Sequence, residues 1–527
     1  MFRRLLSGAY RSRTPMVRGA RYTIKTLVAA LLAQSVSAAD YYWVANAPGR
    51  PDIDNTTTHA NNPWLACQRR LDIYYNAFEP GRNAHVVKLE YFNQNVYKCW
   101  NNYYYYNSQL GGWFLAILSE GNTFNIVRYG ASCPAGSAVN PTTGGCDKDE
   151  QKGTPQENIC STVGNPINFA IGNKIQSETD YSPVGSSILS FFRTYNSLDG
   201  LWRHNFSTYL RFAGTEYASL VRHDGRESFF TISGTTITPT SSDLGVLTKV
   251  GTGWQYVSAD NEQFTFDIAG KLTHWSNTQG RSYQLAYVSN EITVTDNFGN
   301  SLSVTEDADH QPQTLTVPGV HITYGYNTNK RLTSVTRTLE GQTTQRQFHY
   351  EVPGKPDLLT GITDERGVRY ATWAYDDQGR AISSEHADGA DRVSVSYNTD
   401  GTVSVTNELG KVAKYSFQYI KGVRRITAIS GEPSPNCPSS NSTFTYDERG
   451  LLKTKTDNKG NLITYDYNIR GLEVSRTEAS GTPQARTIAT TWHPDWFLPA
   501  TVTEPDRITQ YTYDNHGRQL SQTNLEK

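Results

Sequence analysis

Tyr375-Asp376-Asp377-Gln378-Gly379-Arg380 decides the fold of this chain, because the same pattern returns at Tyr446-Asp447-Glu448-Arg449-Gly450 and at Tyr513-Asp514-Asn515-His516-Gly517-Arg518. Looser copies stand at Phe266-Asp267…Gly270, Tyr397-Asn398…Gly401 and Tyr467-Asn468…Gly471. An aromatic residue ends a strand, and Asp or Asn opens a type I turn by accepting a hydrogen bond from the backbone two residues on. Gly then takes the left-handed conformation that starts the return strand. Asp267, Gly270, Asp376, Gly379, Asn398, Gly401, Asp447, Gly450, Asn468, Gly471, Asp514 and Gly517 are therefore read as structural turn residues and not as catalytic ones.

Working outward, the glycines at 379 and 401, and at 450 and 471, lie just over twenty residues apart, with a second turn between them: Asp388-Gly389, Asn407…Gly410 or Asp457…Gly460. One unit is thus strand, turn, strand, turn. Within strands the residues alternate, Val393, Val395 and Tyr397 against Ser394 and Ser396, or Ile463, Tyr465 and Tyr467 against Thr464 and Asp466. Units that cannot bury a face alone imply an extended array held by cross-strand pairs. The expected fold is all-β: an extended antiparallel sheet of hairpins over 246–527, preceded by a small disulfide-containing β domain.

At 527 residues the chain exceeds one ordinary core. Its 33 Tyr and 10 Trp against 2 Met, with a mean hydropathy of -0.57, favour strands and turns over helices. A net charge of -1, with no basic run beyond the N-terminus, argues against nucleic acid as a partner. Residues 1–39 read as an export signal: Arg18, Arg21 and Lys25, an apolar stretch from Leu27 to Val36, then Ser37-Ala38-Ala39 before Asp40. The apolar stretch is too short to span a bilayer comfortably, and Met16 is an alternative start. The destination is the periplasm, the cell surface or the medium. Cysteine placement agrees, since Cys67, Cys99, Cys133, Cys146 and Cys160 crowd the first third and read as disulfides, with Cys133–Cys146 and Cys67–Cys99 the natural pairs. Zinc is the competing reading, but no Cys-x-x-Cys occurs.

Residues 40–160 form an aromatic- and Cys-rich N-terminal domain, with Tyr103-Tyr104-Tyr105-Tyr106 and Trp43, Trp64, Trp100 and Trp113. These rings read first as the core of a small disulfide-stapled domain, and second as a platform for sugar rings. A polar stretch over 148–165 reads as a linker. A further β domain occupies 161–245, carrying Gly172-Asn173-Lys174, Phe192-Arg193-Thr194-Tyr195-Asn196-Ser197, Trp202-Arg203-His204 and Asp224-Gly225-Arg226.

Those motifs, together with the Tyr-Asp repeats, resemble the Rhs (YD-repeat) family of bacterial exported proteins over about 360 residues, a match specific in combination where a single motif is weak. The resemblance implies a heading domain at 161–245 and a repeat sheet that spirals into a hollow shell around a C-terminal toxin. The family's shell-closing segment with its autoproteolytic carboxylates is not found here. The expectation is a truncated relative, or a wall that a separate shell or toxin fragment completes, or one that self-associates through its C-terminal edge over 500–527.

No nucleophile elbow, phosphate loop or zinc-protease motif occurs, and no cofactor is expected. His204 and His223, near Arg203 and Asp224, admit a base-and-orienter reading, but His223-Asp224-Gly225 reads better as a hairpin tip. The expected function is a non-enzymatic structural scaffold of an exported polymorphic-toxin system. The alternative is a carbohydrate-binding or adhesive surface protein, with a cell-surface glycan as its partner.

Overall fold

The computed structural model describes residues 41–45, 66–71, 84–93, 96–107, 112–116, 123–130, 138–140, 146–155, 161–183, 185–431 and 440–527. The export signal, Cys133, Cys160 and Cys437 lie outside them, and with Cys133 so does its pairing with Cys146. Among the described residues no helix is long and apolar enough to cross a membrane.

A single antiparallel sheet of 26 strands dominates, running from Val246–Val250 to Gln519–Glu526, each strand bonded to the next in sequence. Alternation builds it. In Val393–Tyr397 the valines are buried while Ser394 and Ser396 stand outward, so one face is apolar and the other polar. Val393, Val395, Val403, Val405, Tyr415, Ile426 and Phe444 form one continuous patch of core with Phe169.

The turns at Tyr-Asp positions share one geometry. Asp376 N–H donates to Arg380 O at 3.0 Å, and Gly379 N–H donates to Asp376 O at 2.9 Å. The Asp376 carboxylate accepts from the Gln378 and Arg380 amides at 3.0 and 2.9 Å, and Gly379 has φ +78°. Asp447 and Asp514 repeat the pattern with Gly450 and Gly517. A carboxylate satisfies two amides that the tight turn leaves unpaired, and only glycine enters the left-handed region without strain.

Strands alternate in direction, so turns after odd-numbered strands line one rim of the sheet and turns after even-numbered strands line the other. The Tyr-Asp and Tyr-Asn turns all follow odd strands: 376–380 the thirteenth, 398–402 the fifteenth, 447–451 the nineteenth, 468–472 the twenty-first and 514–518 the twenty-fifth. The Phe-Asp turn 267–271 follows the third.

The sheet then winds over itself. Asn261, in the turn after the second strand, bonds to Phe497 after the twenty-third, although 236 residues separate them. Thr278, after the fourth strand, lies against Gly517, after the twenty-fifth. Leu244, just ahead of the first strand, lies against Gly471, after the twenty-first. Each pair joins an even rim to an odd rim twenty-one strands further along. The first and last strands do not pair, so the sheet is an open spiral and not a closed barrel.

Residues 161–239 form two four-stranded sheets, Ile167–Asn168 through Trp202–His204 and Tyr209–Ala213 through Thr236–Pro239. They share a core with the long sheet, in which Phe191, Tyr195, Trp202 and Phe230 pack with Tyr256, Val294, Leu332 and Trp373. One compact segment touching so many strands of a curving sheet lies on its concave side. The stretch expected as a linker is packed in part. A 3-10 turn at Asp149–Gln151 places the Gln151 side chain to donate to Gly422 O at 3.1 Å and to accept from the Arg424 amide at 3.0 Å.

At the N-terminus, Tyr41–Ala45, Ala84–Asn93, Val96–Asn107, Gly112–Ala116 and Thr123–Gly130 form a five-stranded sheet. Cys67, in a short helix over 66–71, is joined by a disulfide to Cys99, and both are buried. The side chains of Tyr103 to Tyr106 lie outside the described residues.

Candidate functional site

The densest polar chemistry is a buried seam where the 161–239 segment meets the concave face. Lys174 is wholly buried, and its Nζ donates to Asn165 O, Ile175 O and Gln176 Oε1, each at 2.6 Å, while standing 4.1 Å from the centre of the Trp373 ring. Burial pushes its pKa well below the ordinary value, with Glu178 opposing. Three acceptors and an aromatic face are what a buried ammonium requires.

Arg193 pairs with Asp180 through two bonds of 2.5 and 2.8 Å, and Tyr324 of the wall donates to the same carboxylate at 2.8 Å. Its guanidinium lies 4.7 Å from the Trp202 ring centre. Burial works against the charge, but Asp180 outweighs it and holds the pKa above the usual arginine value. Glu178 is gripped by Arg346 and by Tyr370, both from the wall. The Tyr195 hydroxyl donates to Asp357 O at 2.6 Å and accepts from the Leu359 amide at 2.8 Å.

His204 does not meet Asp224. Its ring is buried, stacked 5.2 Å from Phe191, and its Nε2 lies 3.1 Å from Glu306 Oε2. The other oxygen of Glu306 lies 2.9 Å from His310 Nδ1, so one wall carboxylate links two imidazoles. Burial would raise the pKa of Glu306, but hydrogen bonds from both histidines outweigh it and hold it at about 2. His223 sits in the turn 222–226, edge-on to Phe192, and burial lowers its pKa. Asp224 accepts from the Arg226 amide at 3.0 Å.

The motif residues of 172–226 are thus engaged in tying this segment to the wall or closing its turns. Among the described residues no cluster of three or more His, Cys, Asp or Glu is placed to hold a metal ion.

One role was missed in the sequence, that of the repeat tyrosine's hydroxyl. Tyr397 donates to Ala381 O at 2.8 Å, Tyr467 to Leu452 O at 2.7 Å and Tyr513 to Pro499 O at 2.8 Å, in each case the first residue of the neighbouring strand. Each acceptor residue stands at a register shift in its own strand's pairing with the strand before it, Ala381 opposite Tyr375, Leu452 opposite Tyr446 and Pro499 opposite Trp492. A bulge disrupts the ladder locally, and the phenol adds a hydrogen bond at that point. A recurrent Tyr where Phe would serve for packing was the available signal.

Comparison with known proteins places the two regions. A model described as RHS Repeat matches residues 446–483, the hairpins around the 447–451 and 468–472 turns. A domain of unknown function, DUF6531, matches residues 164–230, the segment carrying the seam. The chain carries the Rhs/YD repeat. No curated protein matches its sequence. Among solved structures it is similar to the TcdB2-TccC3-TEV crystal structure, with 12% identity over 66% of this chain and 20% of that one, at a TM-score of 0.33. For the TcdB2-TccC3 crystal structure the values are 10%, 80%, 23% and 0.28. For the Photorhabdus luminescens Tc holotoxin pore they are 12%, 68%, 21% and 0.26. The chain spans about a fifth of the length of these structures.

Proposed function

We propose that this Rhs-repeat scaffold serves as wall for an exported polymorphic-toxin system, and that it works without catalysis. One observation carries the reading. The carboxylates of the Tyr-Asp turns, together with Asp180, Glu178 and Glu306 of the seam, are bonded to backbone amides or to paired cations and histidines. Carboxylates held this way define shape and are not poised to move protons. Export supplies the oxidising setting that the Cys67–Cys99 disulfide needs. The strand Gln519–Glu526, exposed at every residue, is the edge through which another shell or toxin fragment, or a second copy, would pair.

The test is recovery of the chain from envelope and medium fractions of its own host, with N-terminal sequencing. Cleavage near Ala38 or Ala39, and co-recovery of a polypeptide bearing Rhs shell or toxin sequence, support the reading. An uncleaved cytosolic chain contradicts it.

A second reading, binding of a surface glycan, is favoured by a groove of about 1110 Å³ lined by Phe212, Ile237, Trp254 and Ile268 together with Thr215 and Lys249. Retention of the purified chain on host capsule or wall polysaccharide, lost in Phe212→Ala, would select that reading.

A further inference from the structure

Arg424, in the eighteenth strand of the wall over Val423–Gly431, carries a charge that no described carboxylate answers. Its Nη1 donates to Ala170 O at 2.5 Å and its Nη2 to Gly401 O, both neutral acceptors. Its Nε is buried with no hydrogen-bond partner among the described residues. The guanidinium stacks 4.1 Å from the centre of the Phe417 ring. Burial lowers its pKa below the usual arginine value; Tyr419 and Tyr397 oppose, and Arg380 adds to the lowering. Lys148 stands in the same field, its pKa lowered by burial and then by Arg380 and Arg424. Arg380 is answered by Asp376 at 2.7 Å, but Lys148 makes no ion pair with a described residue.

Beside Arg424 lies a cavity of about 60 Å³, bounded by the 3-10 turn at Asp149–Gln151, the turn of Arg226 and the start of the eighteenth strand. Lys152, Arg226 and Arg425 line it with Arg424, and Glu150 is the one described carboxylate that does so. Asp199 is taken by Lys152 at 3.0 Å and Asp224 by Arg226 at 3.4 Å, so neither offsets Arg424. Arg226 Nε is a second buried donor without a described partner. Thr154 and Ser242 add hydroxyls. A buried donor without an acceptor and a buried cation without an anion both cost stability, and one small anion relieves both. A water needs about 10–15 Å³ of such space, so the cavity takes the five heavy atoms of a tetrahedral oxyanion and excludes a nucleotide or a sugar phosphate. We propose that this cavity binds free sulfate or hydrogen phosphate, which bridges Arg226 of the heading domain to Arg424 of the wall through charge-assisted hydrogen bonds. Glu150 works against the anion. It accepts from the Ser242 amide at 3.4 Å and is faced by Arg425, Asp243 and Lys421. Burial raises its pKa to about 7, so at pH 8 it is charged. The site goes beyond the scaffold reading and does not depend on export or on a toxin.

Equilibrium dialysis of the full chain with labelled sulfate, at pH 8 and fixed ionic strength, tests the site. The expected result is one saturable site per chain, with inorganic phosphate competing for it. Arg424→Gln keeps hydrogen-bond donors, drops the charge and should weaken binding about tenfold, the loss of one charge-assisted bond. Glu150→Gln removes the repelling charge and should tighten binding by a similar factor, a gain that a misfolded chain would not show. Arg486→Gln breaks a pair with Glu504 elsewhere on the wall and should leave binding unchanged. No saturable uptake by the wild-type chain up to about 10 mM sulfate, ten times a millimolar Kd, overturns the proposal. So does uptake that Glu150→Gln and Arg424→Gln leave unaltered. Glu157, between Pro155 and Ser161 in the sequence, is the chain's own rival for the space. Uptake by Glu157→Gln that the wild type lacks would show the cavity filled from within, and would overturn the proposal equally.

Discussion

Asn261 and Phe497 hold each other twice. The Asn261 Nδ2 donates to the Phe497 carbonyl at 3.2 Å, and the Phe497 amide donates to Asn261 Oδ1 at 2.7 Å. Asn261 is buried and has φ 61°, so it combines a side-chain clasp with a left-handed backbone that Asn tolerates better than most residues. This clasp lies where the second layer of the wall meets the first.

Asn261→Ala removes both bonds, leaves buried backbone groups at Phe497 unpaired and places Ala in the left-handed region. We expect a loss of about 2–4 kcal/mol. Asn261→Gly loses the same bonds without the backbone penalty and should be milder by about 1 kcal/mol. Denaturant unfolding of both variants checks the order.

The tyrosine clip gives a second expectation. Tyr467→Phe keeps the ring and strips the hydroxyl from Leu452 O, and should cost about 1 kcal/mol, as should Tyr513→Phe at Pro499 O. Phe266 already occupies an equivalent place without a hydroxyl. Phe266→Tyr therefore tests whether the clip adds stability, by thermal unfolding.

Much of the wall was legible in the sequence. Asp376 and Gly379, or Val393 and Val395, act through neighbours a few residues away, and turn chemistry and period-two alternation are local. Winding was not legible. Asn261 reads as an unremarkable loop residue, and its partner is 236 residues distant. His204 likewise gave no sign of Glu306, because heading-domain strands meet the wall through tertiary packing that no spacing encodes. The polar stretch around Gln151 read as a linker for the same reason. Its glutamine finds Gly422 and Arg424 only once the wall has curved round.

Acid should loosen the seam at Glu306. Its folded pKa, about 2, lies below the ordinary glutamate value, so the carboxylate stabilises the fold at neutral pH. That contribution is lost as pH falls from about 5 towards 2, and amounts to roughly 3 kcal/mol when complete. Glu306→Gln should lower stability at pH 7 and flatten the acid limb in that window. An unchanged acid limb would show that the carboxylate is not held by His204 and His310.

The turns at Gly410 and Gly270 predict unequal glycine tolerance. Gly410, with φ +75°, has no described neighbour within 4 Å of an added Cβ, so Gly410→Ala should cost about 1 kcal/mol from the backbone alone. Gly270→Ala adds a collision with the Leu210 carbonyl and should cost about 2–4 kcal/mol. Equal melting temperatures would contradict the contact between that turn and the heading domain.

The distance between Gln279 and His516 in the full-length chain tests the wound wall most directly. Both residues are exposed in turns that the winding brings side by side, after the fourth and twenty-fifth strands. Pulsed electron resonance between labels at these sites should give a narrow distribution under about 20 Å, the span of two touching turns and their label arms. A flat ribbon of the same strands would separate them by roughly 100 Å, at about 4.8 Å per strand. A distribution centred far beyond the touching range would contradict the account.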